Sequence, residues 1–418
     1  MKVACVGGGP AGLYFSILMK RQDPSHEITV YERNPAGSTY GWGVTYWGNL
    51  IEKLRAHDPE SARTIGERSV RWNDGVAHVG DLTTVHHGDE GFAIGRRELL
   101  DILAGRAREL GVRVVYEHAV TDGPDGPELA DADLVVACDG VNSGLRERYA
   151  AHFGTEATAG RNKYIWLGTT KVFDSFTFAF TETEHGWIWA YGYGFSARHS
   201  TCIVECSEVT WTGLGLHRTD EAGTLALLEK LFAVPLDGNS LIGRANSEGG
   251  PAQWLTFRTL THRAWSHGRL VLMGDAAHTT HYSIGAGTTL ALEDAIALAG
   301  ALRDHAELPS ALARYERERR SALLPVQSAA RYSARWYENL TRYIHLPPAQ
   351  MFALLGQRHS PLLPYLPPAL YYRLDRAATR VTALRTLKRH LGPRLARTLA
   401  RTRQAVRKVR TPHQSVRK

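Results

Sequence analysis

A strand, a glycine-rich turn and a helix occupy the start of this chain, and together they commit it to a parallel α/β sheet. The short apolar run Val3 to Val6 leads into Gly7-x-Gly9-x-x-Gly12, where Pro10 and Ala11 open a helix with apolar positions at Leu13, Ile17 and Leu18. A second strand then ends on Glu32, 20 residues after Gly12. Each position answers a physical need. Gly7 permits a tight turn, Gly9 lets a pyrophosphate approach the backbone, and Gly12 lets helix pack on strand. The helix N-terminus offers free N–H groups and a positive dipole end to phosphate. Glu32 can accept from both ribose hydroxyls. A glycine-rich turn alone is a weak signal, but strand, glycines, helix, strand and acid in register specify a dinucleotide site.

Two later segments narrow the dinucleotide. Asp133 to Asp139 reads as a buried strand ending in an Asp139-Gly140 turn, with Arg146 a short segment on. Gly268 to Met273 is another buried strand, ending in Gly274-Asp275 with His278 close behind. The turn Gly285-Ala286-Gly287 opens a helix predicted over Thr288–Leu302. Acidic groups at the carboxyl ends of parallel strands face the ligand crevice in this fold class. Asp275 is therefore placed to hold a polyol such as ribitol. The helix start at Gly285 to Thr289 aims its dipole at a group that becomes negative, such as the pyrimidine edge of a reduced flavin.

These three segments together resemble the signatures of single-component FAD-dependent aromatic hydroxylases, the group A flavoprotein monooxygenases. Gly41-Trp-Gly-Val44, Arg161 to Gly168, Ile203 to Ser207 and His281 to Thr288 are similar to segments of two branches of that family. One is the monooxygenase part of salicylyl-CoA 5-hydroxylase and 2-aminobenzoyl-CoA monooxygenase; the other is the violacein-pathway hydroxylase. The resemblance spans roughly residues 1–350. It implies an α/β fold like that of p-hydroxybenzoate hydroxylase: a Rossmann-like FAD-binding domain, an inserted antiparallel β-sheet substrate domain and, here, a basic helical C-terminal tail. It also implies FAD held by Gly7, Gly9, Pro10, Ala11, Gly12, Glu32, Arg33, Val44, Arg96, Val120, Asp139, Asp275, Gly285, Gly287 and Thr288. NADH or NADPH would visit transiently, and oxygen would pass from a flavin C4a-hydroperoxide to an electron-rich ring. His281 and Tyr282 would reach the substrate near the reactive flavin carbon. Two positions depart from the common pattern: Tyr282 stands where the family usually has proline, and Thr289 where it usually has asparagine.

The 418 residues suit two intimately joined domains. The expected segmentation is 1–160 and 262–345 for a discontinuous FAD-binding domain, 161–261 for the sheet and 346–418 for the tail. No stretch approaches 18 uninterrupted apolar residues, so no membrane span is expected. With no signal peptide recognised and four cysteines lacking CxxC spacing, buried reduced thiols and a cytoplasmic setting are expected. The net charge of +8 misleads until it is located. Residues 371–418 hold 15 basic side chains against one acid, so the rest of the chain is net acidic. Leu370, Leu374, Val381, Leu384, Leu387, Leu391, Leu395 and Leu399 recur at helical spacing there, broken by Gly392-Pro393. Basic amphipathic helices follow, suited to a solvated face, a CoA phosphate, an acidic carrier protein or peripheral contact with an anionic membrane. Nucleic acid is disfavoured, because the tail lacks interleaved aromatics.

Strands are predicted at Lys163–Lys171, Phe173–Thr181, Gly186–Tyr193 and Ser200–Cys206, with a short helix over Leu225–Phe232. Alternation puts Trp187, Trp189, Tyr191 and Tyr193 on one face and Ile188 and Ala190 on the other. Sheet packing accounts for most of these rings. A planar substrate must still be stacked and kept dry, which makes Trp187, Trp189 and Tyr191 candidate substrate contacts. His86, His87 and His185 are assigned to loops. Trp187-x-Trp189 resembles the start of a flavin-halogenase signature, but Ala190-Tyr191-Gly192 breaks it. A non-oxygenating flavoprotein (reductase or halogenase) and a non-enzymatic adaptor for membranes or carrier proteins are the competing readings.

Overall fold

Five parallel strands carry the acidic and glycine-rich motifs to a common edge. Across the first sheet the order is Ser266–His267, Leu270–Leu272, Leu134–Ala137, Lys2–Val6, Glu27–Tyr31 and Arg113–Val115. All neighbours after the first pair run parallel, with Val6 level with both Tyr31 and Ala137, and Ala137 level with Leu272. Gly7, Glu32, Asp139 and Asp275 therefore all follow carboxyl ends at one edge, where α/β sheets bind ligands. The computed structural model describes residues 1–38, 41–47, 49–243 and 253–380. These fall in two compact units, Met1–Arg317 and Glu318–Lys418.

The helix Pro10–Gln22 starts sharply because Gly9 is extended at its N-cap and Pro10 brings a preset φ and no N–H to a position that needs none. Lys20 and Arg21 in its last turn complement the dipole. Pro10 to Met19 are all buried, so this helix is apolar on every side. It packs on the helices Arg96–Glu109 and Gly287–Asp304.

Among the described residues the second sheet has nine strands. Glu156–Thr169, Ser200–Ser207, Gly186–Gly194 and Phe176–Thr183 lie side by side and antiparallel, close to the predicted strands. The expected face alternation holds. Ile188, Ala190, Cys202, Val204 and Cys206 form one core with Leu228 and Phe232, under the helix Glu221–Leu231. Trp189, Tyr191 and Tyr193 are buried on the other side. The cysteines 5, 138, 202 and 206 are free and buried, and burial pushes the Cys202 thiol up to about 12.

The sheet also recruits Gly43–Tyr46, Val70–Val79 and Leu82–Gly95, which sequence patterning assigns to the FAD-binding part. Val70–Val79 lies parallel to Phe176–Thr183, so a partner just over a hundred residues away decides its sheet. His86 and His87 correct a loop assignment. They lie in the strand Leu82–Gly95, opposite Gly75 and Asp74, and His87 Nδ1 is 2.9 Å from an Asp74 carboxylate oxygen. Around His86 and His87 the ribbon is polar and exposed, while its other end adds Trp72 and Ala93 to a core with Tyr193. His185 does sit in a turn.

In the second unit, Pro348 opens the helix Pro348–Gly356 and Pro368 opens Pro368–Arg380. Tyr371 is buried there while Leu370 and Leu374 are exposed. The rest of the predicted basic helices, from Val381 onward, lies outside the described residues. Among the described residues no helix is long and apolar enough to cross a membrane.

Candidate active site

The three glycines of the first turn do different jobs. Gly7 has φ +118°, and a side chain there would run into the Cys138–Asp139 backbone. A Cβ on Gly12 would strike the Gly7 carbonyl and come within 2.7 Å of Cys138 Sγ. Gly9, by contrast, faces open space, with nothing within 4 Å of where its Cβ would be. So two glycines close the turn on its neighbours, and the third keeps clear the surface a pyrophosphate needs. No side chain caps the helix Pro10–Gln22, which leaves its N-terminus available to an anion.

Glu32 is held before any ligand arrives. One carboxylate oxygen accepts from Gly8 N–H at 2.8 Å; the other accepts from Asn34 N–H at 2.9 Å and Asn34 Nδ2 at 2.6 Å. Carboxylate oxygens have acceptor capacity beyond these bonds, so ribose hydroxyls can join them. Arg33 points into solvent. Val120 lies on the partly buried loop just past His118, whose N–H donates to the Glu32 carbonyl at 2.9 Å.

Arg96 opens the helix Arg96–Glu109 with its N–H donating to the Trp42 carbonyl at 2.7 Å. Burial lowers its guanidinium, while the charges of Asp275 and Glu32 raise it, so the three motifs converge electrostatically. Its Nε has no partner among the described residues. Asp275 is exposed to the cleft, yet it is crowded enough that desolvation raises its carboxyl, against the pull of His278 and Arg96. Asp139 is raised by burial too. One of its oxygens accepts from Gly144 N–H at 2.9 Å and the other has no partner among the described residues. Open surface at Gly9, unsatisfied polar atoms on Arg96 and Asp139, and a cleft-facing Asp275 fit the phosphate, ribose and polyol of FAD. Asp275→Ala is expected to weaken FAD binding by roughly 5- to 150-fold, about 1–3 kcal/mol for a lost charged hydrogen bond. Titration of apoprotein with FAD, read by flavin fluorescence, checks this.

Asp294 is a residue that sequence reasoning missed. It is fully buried in the helix Gly287–Asp304 and accepts from Gly274 N–H at 3.0 Å, and its carboxylate is 2.7 Å from His278 Nε2. His278 in turn stacks on Trp265, with ring centroids 5.3 Å apart. This trio fixes the Gly274 turn, where φ is +64°, and so aims Asp275. Its only trace in the sequence is an acid pair, Glu293-Asp294, inside an apolar helical run.

The helix Gly287–Asp304 begins without a side-chain cap. Gly285 is left-handed at φ +61° and its open side abuts Thr45, next to buried Val44 on the strand Gly43–Tyr46. Gly287 faces open space, and Thr288 is half-buried. The Thr289 hydroxyl is buried with no partner among the described residues.

Between Asp275 and this helix runs the turn that meets the aromatic sheet. His281 Nδ1 lies 2.8 Å from Ser283 Oγ and caps the short turn Tyr282–Ile284. Phe257 packs edge-on against His281 at 4.9 Å. The Tyr282 ring lies 4.3 Å from Tyr164 and 6.2 Å from Tyr191. Trp189 is in the row of Tyr164, both opposite Glu205. Trp187 is one row nearer the hairpin turn and half-buried. Tyr193 is structural: its hydroxyl donates to the Gly43 carbonyl at 2.9 Å.

A dinucleotide crevice beside an aromatic sheet defines a flavoprotein that works on planar molecules. The description "FAD binding domain" matches residues 111–328, and the chain belongs to this family of FAD-dependent aromatic monooxygenases. It is 40% identical over 355 residues to salicyloyl-CoA 5-hydroxylase of a Streptomyces species, covering 82% of this chain and 66% of that longer protein. Over 340 residues it is 37% identical to 3-hydroxy-4-methyl-anthranilyl-(aryl-carrier protein) 5-monooxygenase of Streptosporangium sibiricum, covering 81% and 90%. Over 393 residues it is 32% identical to protodeoxyviolaceinate monooxygenase of Chromobacterium violaceum, covering 91% and 100%. Both resemblances seen in the sequence are borne out. In fold it is similar to 2-methyl-3-hydroxypyridine-5-carboxylic acid oxygenase, with TM-score 0.67 at 17% identity over 86% of this chain and 96% of that one.

Proposed function

We propose that the protein hydroxylates an electron-rich aromatic ring presented as a thioester, of CoA or of an aryl carrier protein. One observation carries this reading. Tyr282, between the flavin turn and the inner face of the sheet, is ringed by Tyr164, Tyr191 and Phe257, a setting that stacks a planar group. Two of the relatives above are named for aryl thioesters, which supports the handle.

FAD, once reduced by NAD(P)H, supplies the activated oxygen. The chain's own residues do the rest. Gly9 and the helix behind it seat the pyrophosphate, Glu32 takes the ribose, and Arg96 and Asp275 hold the polyol. The N-terminus at Gly285 to Thr288 stabilises negative charge on the ring system. Trp189 and Tyr191 stack the substrate, with Trp187 at the rim, and keep water out. His281 and Tyr282 stand beside the reacting edge.

The purified protein is expected to be yellow, and salicyloyl-CoA is expected to accelerate NAD(P)H oxidation at least tenfold over salicylate, about 1.4 kcal/mol of handle recognition. Mass analysis should find one added oxygen atom in the thioester. Equal stimulation by the free acid, or stimulation by an indole carboxylate only, would remove the thioester reading. The basic tail adds a second arm. Cutting after Gly392 removes nine basic side chains, and is expected to raise KM for an acidic carrier substrate and flatten its salt dependence.

A further inference from the structure

The second unit carries a pocket of about 200 Å³, built from none of the motifs used so far. Its walls come from the last turns of the helix Leu308–Glu338, the turn Leu340–Arg342 and the proline-rich segment around Pro364. Trp336 and Tyr343 give it an apolar side; both are buried, and their rings stack 5.0 Å apart at 11°. Pro364 continues that side. Three arginines, Arg335, Arg342 and Arg358, also line the pocket, and among the described residues no carboxylate does.

Two of these cations have work inside the protein. Arg342 donates to the Pro364 carbonyl at 2.7 Å and to the Leu366 carbonyl at 2.6 Å, and so ties down the proline-rich wall. Arg358 Nη1 donates to the Leu355 carbonyl at 2.9 Å, at the end of the helix Pro348–Gly356. Arg335 braces nothing: it is exposed, and among the described residues its guanidinium has neither a hydrogen bond nor an ion pair. A guanidinium has five N–H donors, so Arg342, with two committed, also has donors left for a ligand. Like charges around so small a space repel one another, and an anion between them turns that repulsion into attraction.

Guanidinium forks pair with phosphate and carboxylate oxygens, and a doubly charged phosphate monoester suits three of them better than a carboxylate does. The stacked rings and Pro364 offer a flat apolar surface to whatever the phosphate is attached to. Sites that enclose a whole ligand measure roughly 300–1,000 Å³. This smaller pocket has room for a phosphate and the ring beside it, with the rest of the molecule outside. We propose that it binds a phosphate monoester carried on a ribose or a ring of similar size. Two molecules that a monooxygenase of this kind can meet carry that group: CoA on its 3′ oxygen and NADPH on its 2′ oxygen. Nothing in this pocket depends on which group the aromatic site takes.

The test is calorimetric titration of FAD-loaded full-length enzyme with adenosine 3′,5′-bisphosphate, adenosine 2′,5′-bisphosphate and plain adenosine. At least one bisphosphate is expected to bind with a Kd below about 1 mM, and adenosine at least about tenfold more weakly. Added salt should weaken the bisphosphate and leave adenosine alone. Arg335→Gln should weaken the bisphosphate at least about tenfold, the effect of losing a charged hydrogen bond. Melting temperature and FAD content should stay at wild-type values in that variant, because the side chain braces nothing. The isomer that binds tighter names the source, 3′ for a CoA handle and 2′ for NADPH; equal affinity would mean that the pocket reads the monoester and not its position. Failure of both bisphosphates to bind overturns the proposal, as does bisphosphate binding that Arg335→Gln leaves untouched, or adenosine binding as tightly as either bisphosphate.

Discussion

Alanine at Gly12 is expected to give a protein that neither retains FAD nor keeps its normal stability, whereas alanine at Gly9 should cost the cofactor alone. The difference lies in what each new methyl group meets. At Gly12 it overlaps the Gly7 carbonyl and sits 2.7 Å from Cys138 Sγ, both part of the packed junction between the first helix and two strands. Backbone has to move, and overpacking of this kind costs roughly 1–3 kcal/mol or more. The phosphate turn is what moves. At Gly9 the methyl meets nothing within 4 Å, so the apoprotein should melt as wild type does. The space it fills is the approach path of the pyrophosphate, and FAD content should fall below about a tenth. Melting curves of apoprotein with flavin content of the purified variants separate the two. A Gly9→Ala protein that purifies fully yellow would mean the phosphates lie elsewhere.

Removing Asp294 should have the largest effect on stability. Its carboxylate is fully buried and serves Gly274 N–H and His278 together. Asp294→Ala strips both groups of their partner, and breaking a buried pair from one side costs about 3–5 kcal/mol. That corresponds to a fall in Tm on the order of 10 °C for a unit of this size. Because the same bonds aim Asp275, FAD affinity should drop as well. Asp294→Asn keeps an acceptor for Gly274 and should recover part of the loss. Calorimetry of the three proteins checks the order, and an Asp294→Ala melting within two or three degrees of wild type would show that the turn holds itself (about 1 kcal/mol).

What could be read from the sequence divides by how local its cause is. The Gly7, Gly9 and Gly12 pattern belongs to a contiguous strand–turn–helix motif, so it was legible residue by residue, although Cys138 and Asp139 that crowd Gly7 and Gly12 come from a distant strand end. The inner and outer faces of Gly186–Gly194 followed from alternation, which is also local. Val70–Val79 and Leu82–Gly95 were not legible as part of the aromatic sheet, because a polar, half-exposed ribbon carries no signal about its partner, and that partner is Phe176–Thr183. Asp294 and Glu205 escaped for a related reason. An acid in an apolar run looks like surface until tertiary packing closes over it, and the partners of these two lie far along the chain, Gly274 20 residues from Asp294 and Asn162 43 from Glu205. Glu205 could have been suspected from parity alone, since an odd-numbered position on that strand faces inward with Thr201 and Ile203.

The interleaving of the two sheets has a consequence for anyone wishing to give this enzyme a new substrate. The segment 161–261 looks like a cassette, but it shares its hydrogen-bond ladder with Val70–Val79, and Tyr193 is tied to Gly43. A graft that exchanges only the inserted region would pair a foreign strand with the resident Val70–Val79 and bring a foreign ring to the Gly43 carbonyl. The smallest transplantable unit for specificity is therefore discontinuous: residues 43–95 must travel with the insert, while the dinucleotide strands on either side remain behind.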